Sequence, residues 1–434
     1  MRLVWRTFIG YGLVSCLAAR ATAQTPQTAP TWSEIRDRFR ATNPTLRAGQ
    51  IGIDESKASE VTAFLRPNPQ CALAFDQIGN TVTSGDNPGS VFSASNLYSN
   101  CSYLHEREHK RELRRDSAHS ATAIAVSAQA DLERNLLFTL RSAFVQVLQA
   151  NAFRTLAQDN LSNYDQVLRL SRDRLQAGDI AQIDLDRLEL QRVTYESDVR
   201  TAEVNLRTAK IQLLRLLNDQ RTPVEQFDVS GPFDFVPPAQ PLDEFRRIAL
   251  EVRPDLRAAL QGIEKARTDH RLASANGSTD PTISVDASFP SISQAFLSYQ
   301  PPLRQYVGIS VGVPVRLFDR NQGEKLRTQL DITRNERLAD AAKLQVFGDV
   351  DTAYANVISA VVLLQPYKDR YLGQATRVRE TVTFSYQRGG ASLVDFLQAQ
   401  QEYRAVQVSY VNLIAAFLNG VNQLNLAVGR EVIQ

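Results

Sequence analysis

The sequence predicts a mainly α-helical chain with a smaller β part, laid out as two copies of one unit of roughly 210 residues. Three observations predict it. Sliding the chain against itself by that distance aligns Ser33-Glu34-Ile35 with Asp243-Glu244-Phe245, and Asn43-Pro44-Thr45-Leu46-Arg47-Ala48 with Arg253-Pro254-Asp255-Leu256-Arg257-Ala258. Near the far end of each unit, Gly178-Asp179-Ile180-Ala181-Gln182-Ile183-Asp184-Leu185 aligns with Gly389-Gly390-Ala391-Ser392-Leu393-Val394-Asp395-Phe396. Between these markers, short segments of alternating polarity precede very long stretches with apolar residues three and four apart, the periods of strands and helices.

The chain opens with Arg2 and Arg6, an apolar run from Thr7 to Ala19, and Ala21-Thr22-Ala23 before Gln24, the layout of a secretory signal peptide over residues 1–23. Leu13-Val14-Ser15-Cys16 also fits a lipoprotein signal, in which Cys16 would be lipidated and become the mature N-terminus. The first repeat then occupies 24–222, a Pro-rich connector 223–241, and the second repeat 242–434. Each repeat begins with a helix, 33–65 or 243–275. Two strands follow, 70–78 and 97–104 around the turn Ser84 to Gly89, and 282–289 and 306–315 around a loop with Pro301-Pro302. Ile283, Val285, Ala287 and Phe289 alternate there with Thr282, Ser284, Asp286 and Ser288, so each strand has one apolar and one polar face.

Long helices are expected next, over 107–177 and 321–388, the second containing Pro366. At 1.5 Å per residue each would reach roughly 100 Å. After a sharp reversal at Gly178 or at Gly389-Gly390, a shorter helix returns to Asn218 or Gly429. The spacing of Leu185, Leu188 and Val193, and of Val204, Leu206, Ile211, Leu213 and Leu214, suits helices packed lengthwise as coiled-coil pairs.

Composition narrows the function. A net charge of +2 speaks against a nucleic-acid partner, and no Gly-Lys-Ser or Gly-Lys-Thr loop is present to cradle a nucleotide phosphate. Past the signal, no stretch reaches the ~18 consecutive apolar residues of a membrane helix, so a membrane span would have to be a closed β-barrel. Four strands are too few to close one, which requires several copies to pool them. Cys71 and Cys101 remain after signal cleavage, and an antiparallel hairpin places them nearly opposite, where a disulfide forms unless the two thiols stay apart. His105-Glu106-Arg107-Glu108-His109 formally matches the zinc metalloprotease pattern H-E-x-x-H. The charges that follow, Lys110, Arg111, Glu112, Arg114 and Arg115, argue against the buried helix that such a site needs. A soluble coiled-coil scaffold is the other reading from outside the membrane class.

Gly178-Asp179-Ile180-x-x-x-Asp184, with Glu189, Arg192, Ala202, Leu206, Ala209 and Leu213-Leu214 beyond it, resembles the first signature of TolC-like outer-membrane efflux proteins. Tyr386-x-x-Gly389-x-x-x-x-x-Asp395-x-x-x-Ala399 resembles the second, and Leu317-Phe318-Asp319-Arg320-Asn321-Gln322-Gly323 is similar to the strand-to-helix junction of the heavy-metal and multidrug branches. The resemblance implies a homotrimer in the Gram-negative outer membrane, each chain giving four strands to a twelve-stranded β-barrel and its helices to a periplasmic α-barrel. It further implies a passive conduit without cofactor or catalytic site, docked on a periplasmic adaptor (membrane fusion) protein and fed by an inner-membrane RND-type pump. The outer-membrane duct of type I secretion is the related role.

For individual residues the resemblance implies that Asp184 and Asp395 lie near a constricted periplasmic entrance, with three copies of Asp395 forming a carboxylate ring, and that the Tyr386 hydroxyl helps hold the entrance closed. The plainer reading of both aspartates is a first-turn carboxylate at a helix N-terminus. Gln398 stands where some members carry a second acid, and Ala391 where some carry a basic residue. Gly178, Gly389 and Gly390 make the helical-tip turns, and Arg174 and Arg388 beside them are candidates for meeting the adaptor, with a solvated helix face as the default.

Overall fold

The computed structural model describes residues 29–82, 90–290 and 305–433. The signal peptide, Cys16, the Ser84 to Gly89 turn and the Pro301-Pro302 loop lie outside the described residues. The elements in chain order are helices α1 (Trp32–Thr42) and α2 (Pro44–Ala63), strands β1 (Gln70–Val82) and β2 (Ser90–Leu104), the long helix α3 (Lys110–Gln176) and the return helix α4 (Gln182–Leu216). The order then recurs as α5 (Leu242–Val252), α6 (Pro254–Ala275), β3 (Thr282–Pro290), β4 (Tyr306–Gly312), α7 (Gln322–Pro366), a π-helical turn (Tyr367–Tyr371), α8 (Leu372–Gln387) and α9 (Leu393–Val428).

The first hairpin is longer than the 70–78 and 97–104 expected, β1 running to Val82 and β2 starting at Ser90, and other boundaries differ from the sequence reading for local reasons. The opening helix of each repeat is two helices, broken at Asn43-Pro44 and Arg253-Pro254. A residue before proline is pushed out of the helical region, and Asn43 (ψ 120°) and Arg253 (ψ 123°) are both extended. Asn43 then caps α2 by accepting from the Leu46 amide at 3.0 Å. The buried Arg253 instead holds Asp255 at 2.6 Å and Asp349 at 2.8 Å. Strand β4 stops at Gly312, short of Val315, because Pro314 has no amide to give a ladder. Helix α3 starts at Lys110 because Glu108 and His109 are left-handed, at φ 55° and 54°.

Pro366 does not stop its rod. The helix widens to a π turn at Tyr367–Tyr371, directly after Pro366, and α8 resumes. Lys368 of that turn pairs with Asp234 of the connector at 2.9 Å. Hydrogen bonds from Lys368 and from the Phe235 amide hold the Asp234 carboxyl below the usual carboxylate range.

The two repeats build matching cores. Ile35 and Phe39 of α1, Leu140, Phe144 and Val147 of α3 and Leu206 and Leu213 of α4 form one. Phe245 and Ile248 of α5, Val346, Val350 and Val357 of α7 and Phe417, Val421 and Leu424 of α9 form the other. The connector contributes buried Phe227 and Val229 to the first and Phe235 to the second, so it seals both. Two helical stretches, Gln322–Gln387 and Leu393–Val428, contain windows apolar enough to cross a membrane by composition, with mean hydropathy 1.3. Phe417 and Leu424 of the second stretch and Val346 and Val357 of the first are buried in the second core, though most of the first window is not buried.

Both hairpins join one antiparallel sheet in the order β1-β2-β3-β4. The repeats meet at β2 and β3, where Asn100 lies opposite Asp286 and Tyr103 opposite Ile283. Cys71 lies opposite Cys101 in the β1–β2 ladder, and the two form a disulfide. On β3 and β4 the apolar face is bare, with Val285 46%, Val307 74%, Ile309 79% and Val311 63% exposed. Among the described residues, β1 pairs only with β2 and β4 only with β3, which leaves two open edges.

Candidate functional site at the helical tips

The long helices carry the chain from the sheet to two turns at the opposite end. The turns share one backbone. In the first, the Gly178 amide donates to the Leu175 carbonyl at 3.0 Å and the Asp179 amide to the Arg174 carbonyl at 2.9 Å. In the second, Gly389 donates to Tyr386 at 3.1 Å and Gly390 to Ser385 at 2.8 Å. Both are Schellman endings, whose left-handed residue is here Gly178 (φ 82°) or Gly389 (φ 78°), a conformation glycine adopts without steric cost.

The helices that leave the turns start differently. Ser392 caps α9: its hydroxyl accepts from the Asp395 amide at 3.1 Å, and the Asp395 carboxylate accepts back from the Ser392 hydroxyl at 2.7 Å and amide at 3.2 Å. Those bonds from the Ser392 hydroxyl and amide hold the exposed Asp395 carboxyl below the usual range. The equivalent position before α4 is Ala181, which cannot cap, and Asp184 is half-buried in the first turn. The capping-box geometry accounts for Asp395 as the plainer reading had it, while leaving the carboxylate in solvent. Gln398 is exposed on the next turn and donates to Glu402 at 2.9 Å.

Behind the turns, four helices each give one aromatic ring to a continuous row. Tyr195 of α4 stacks on Tyr164 of α3 with centroids 4.7 Å apart, Tyr164 approaches Phe396 of α9 at 6.4 Å, and Phe396 stacks on Tyr386 of α8 at 4.9 Å. An arginine closes each end. Arg404 lies 5.6 Å over Tyr195 and pairs with Asp198 at 2.6 Å, while Arg174 lies 5.6 Å over Tyr386. The Tyr164 hydroxyl donates to the Leu188 carbonyl at 3.0 Å, and burial raises its pKa.

Arg174 does more than stack. From the end of α3 it crosses to the second turn and donates to the Tyr386 carbonyl at 2.8 Å. It is thus a clasp between the two repeats, a role its place in a basic tip segment did not reveal. The Tyr386 hydroxyl, by contrast, is buried and has no hydrogen-bond partner among the described residues. Arg388 remains at the surface, its guanidinium 4.1 Å over the Phe384 ring. Within the first repeat, Arg172 pairs with Glu189 at 2.9 Å and Arg192 with Asp165 at 2.6 Å, which laces α3 to α4.

The H-E-x-x-H segment lies at the other end of the rod and is not helical. His105 follows β2, Glu108 and His109 are left-handed, and both oxygens of Glu106 are taken by Arg114, the longer contact 2.8 Å. Lys110, buried beside it, is bound by Asp280 at 2.6 Å. These residues form a strand-to-helix joint.

A model of the outer membrane efflux protein family matches residues 246–430. The match lies within the second repeat. Among characterised relatives, the chain is 22% identical over 333 residues to the cobalt-zinc-cadmium resistance protein CzcC of Cupriavidus metallidurans, covering 74% of this chain and 74% of that protein. It is 25% identical over 306 residues to the pyoverdine export outer membrane protein OpmQ of Pseudomonas aeruginosa, covering 69% and 62%. The crystal structure of the outer membrane protein VceC from Vibrio cholerae superposes with a TM-score of 0.72 at 15% identity, over 92% of this chain and 96% of that one. The fold of this chain is therefore that of the TolC-like channels, a long helical part with a β part at one end.

Proposed function

We propose that the chain is the outer-membrane channel subunit of a tripartite efflux system, a passive conduit from the periplasm to the exterior. The observation that carries this reading is the four-stranded sheet, with a bare apolar face, a polar face and two open edges, mounted on a helical rod. Backbone amides at an open edge are not tolerated in lipid, so the edges must be closed by other copies. Three copies supply twelve strands, an even number within the range of bacterial barrels. The same association sets the helical rods side by side around a central axis.

The work of transport then falls to a partner. A periplasmic adaptor meets the helical tips, where Gly178, Gly389, Gly390 and Arg388 are exposed, and an inner-membrane pump supplies the cargo and the energy. Asp395 points a fixed carboxylate into solvent beside the second turn, and three copies around the axis would favour cations at the entrance. Arg174 keeps the two turns of one chain together, which supports a closed resting entrance. Cargo differs among the relatives, whose names specify metal resistance and pyoverdine export.

Membrane fractionation followed by native mass measurement tests the reading. The expected result is an outer-membrane species of three chains that restores efflux to cells lacking their own channel subunit. A soluble monomer would overturn it.

A further inference from the structure

We infer that Asp286 forms a second, cation-selecting ring inside the strand-lined part of the conduit, remote from the tips. The inference rests on the channel reading given above. Asp286 sits in the middle of β3, opposite Asn100 of β2 and Gly308 of β4. Its neighbours Val285 and Ala287 belong to the other face, where Ile283, Val285 and Phe289 are 43%, 46% and 38% exposed. A membrane barrel must turn its apolar face to lipid, so the face with Ser284, Asp286 and Ser288 lines the water.

The carboxylate is held in position by neutral groups. The Tyr98 hydroxyl and the Asn100 side-chain amide on one side both donate to its Oδ1, and the Ser310 hydroxyl on the other donates to Oδ2 at 3.3 Å. None of these donors cancels its charge. The sequences of the four strands contain two carboxylates, Asp76 and Asp286, and no lysine, arginine or histidine. Gly308 presents no side chain beside Asp286, whose Cβ lies 3.9 Å from where one would begin, so the space directly opposite the acid on that strand is left open. Repeated by symmetry, Asp286 becomes a ring of fixed negative charge in a narrow aqueous pore, which raises cation and lowers anion occupancy.

The test is the reversal potential of the purified protein in planar bilayers across a potassium chloride gradient, read in an Asp395→Asn background to remove the tip ring. Asp286→Asn is expected to lower the potassium-to-chloride permeability ratio at least roughly twofold at near-normal conductance, and Asp286→Glu to keep it. An unchanged ratio in conducting Asp286→Asn pores would sink the inference, as would an equal loss in Asp286→Glu. Should Asp286→Asn fail to insert, Asp286→Ser is read by the same criteria. If the unmodified protein forms no pores at all, it is the channel reading that fails.

Discussion

At the scale of single residues, Tyr386, which the resemblance places at the gate, and Arg174, a candidate for meeting the adaptor, play different parts at the tips. Tyr386 stacks on Phe396 and buries a hydroxyl with no partner among the described residues, whereas Arg174 ties the first turn to the second through the Tyr386 carbonyl. A buried polar group without a hydrogen bond costs stability, so removing it relieves the fold. Tyr386→Phe is therefore expected to leave the entrance closed and to stabilise the tip slightly. Arg174→Met removes a charge-assisted hydrogen bond and a cation–π contact, together worth about 2 kcal/mol. Its expected result is faster proteolysis at the Gly389 turn and greater leakage of large antibiotics through cells that carry it. The reverse ranking of the two variants would show that the hydroxyl, not the guanidinium, holds the tips. Gly178, Gly389 and the acid at Asp395 were legible in the sequence because a turn announces itself locally. The aromatic row was not, since Tyr164, Tyr195, Tyr386 and Phe396 come from four helices and meet only when the repeats pack.

At the scale of elements, the strands and long helices followed from periodicity; prolines broke the opening helices and ended β4, while left-handed Glu108 and His109 set the start of α3. Pro44 and Pro254 act by pushing the residue before them out of the helix, Pro314 and Pro366 through the amide each lacks, and the outcome depends on setting: two breaks, one strand end and one π turn. Apolar spacing is nearly blind to all four. The connector was equally opaque, because its few apolar residues have no period, yet Phe227, Val229 and Phe235 close both cores. The first hairpin is cross-linked at its base by Cys71 and Cys101, 30 residues apart in sequence. A chain-entropy argument assigns such a link about 3.5 kcal/mol against the unfolded chain. The purified protein is expected to release two thiols only after reduction, and to lose heat resistance in Cys71→Ser/Cys101→Ser. Two titratable thiols in the unreduced protein would contradict this.

At the scale of the whole molecule, two tips with one backbone differ in their acids' settings: the second has a capped, solvent-facing Asp395, the first an uncapped helix and a half-buried Asp184. The two tips share the turn and the acid and differ in the capping residue, Ala181 against Ser392. Open edges at β1 and β4 have a hereditary consequence. A chain with Gly308→Pro and Ile309→Pro cannot pair along β4, yet its β1 remains sound and still recruits a normal neighbour. Co-expressed with the normal chain, it is expected to enter mixed assemblies and leave each with an open seam, so that efflux falls well below half; a recessive effect would mean that defective chains are excluded before assembly. On the proposed channel reading such an allele is expected to be dominant, because the unit that heredity can spoil is then the ring rather than the chain.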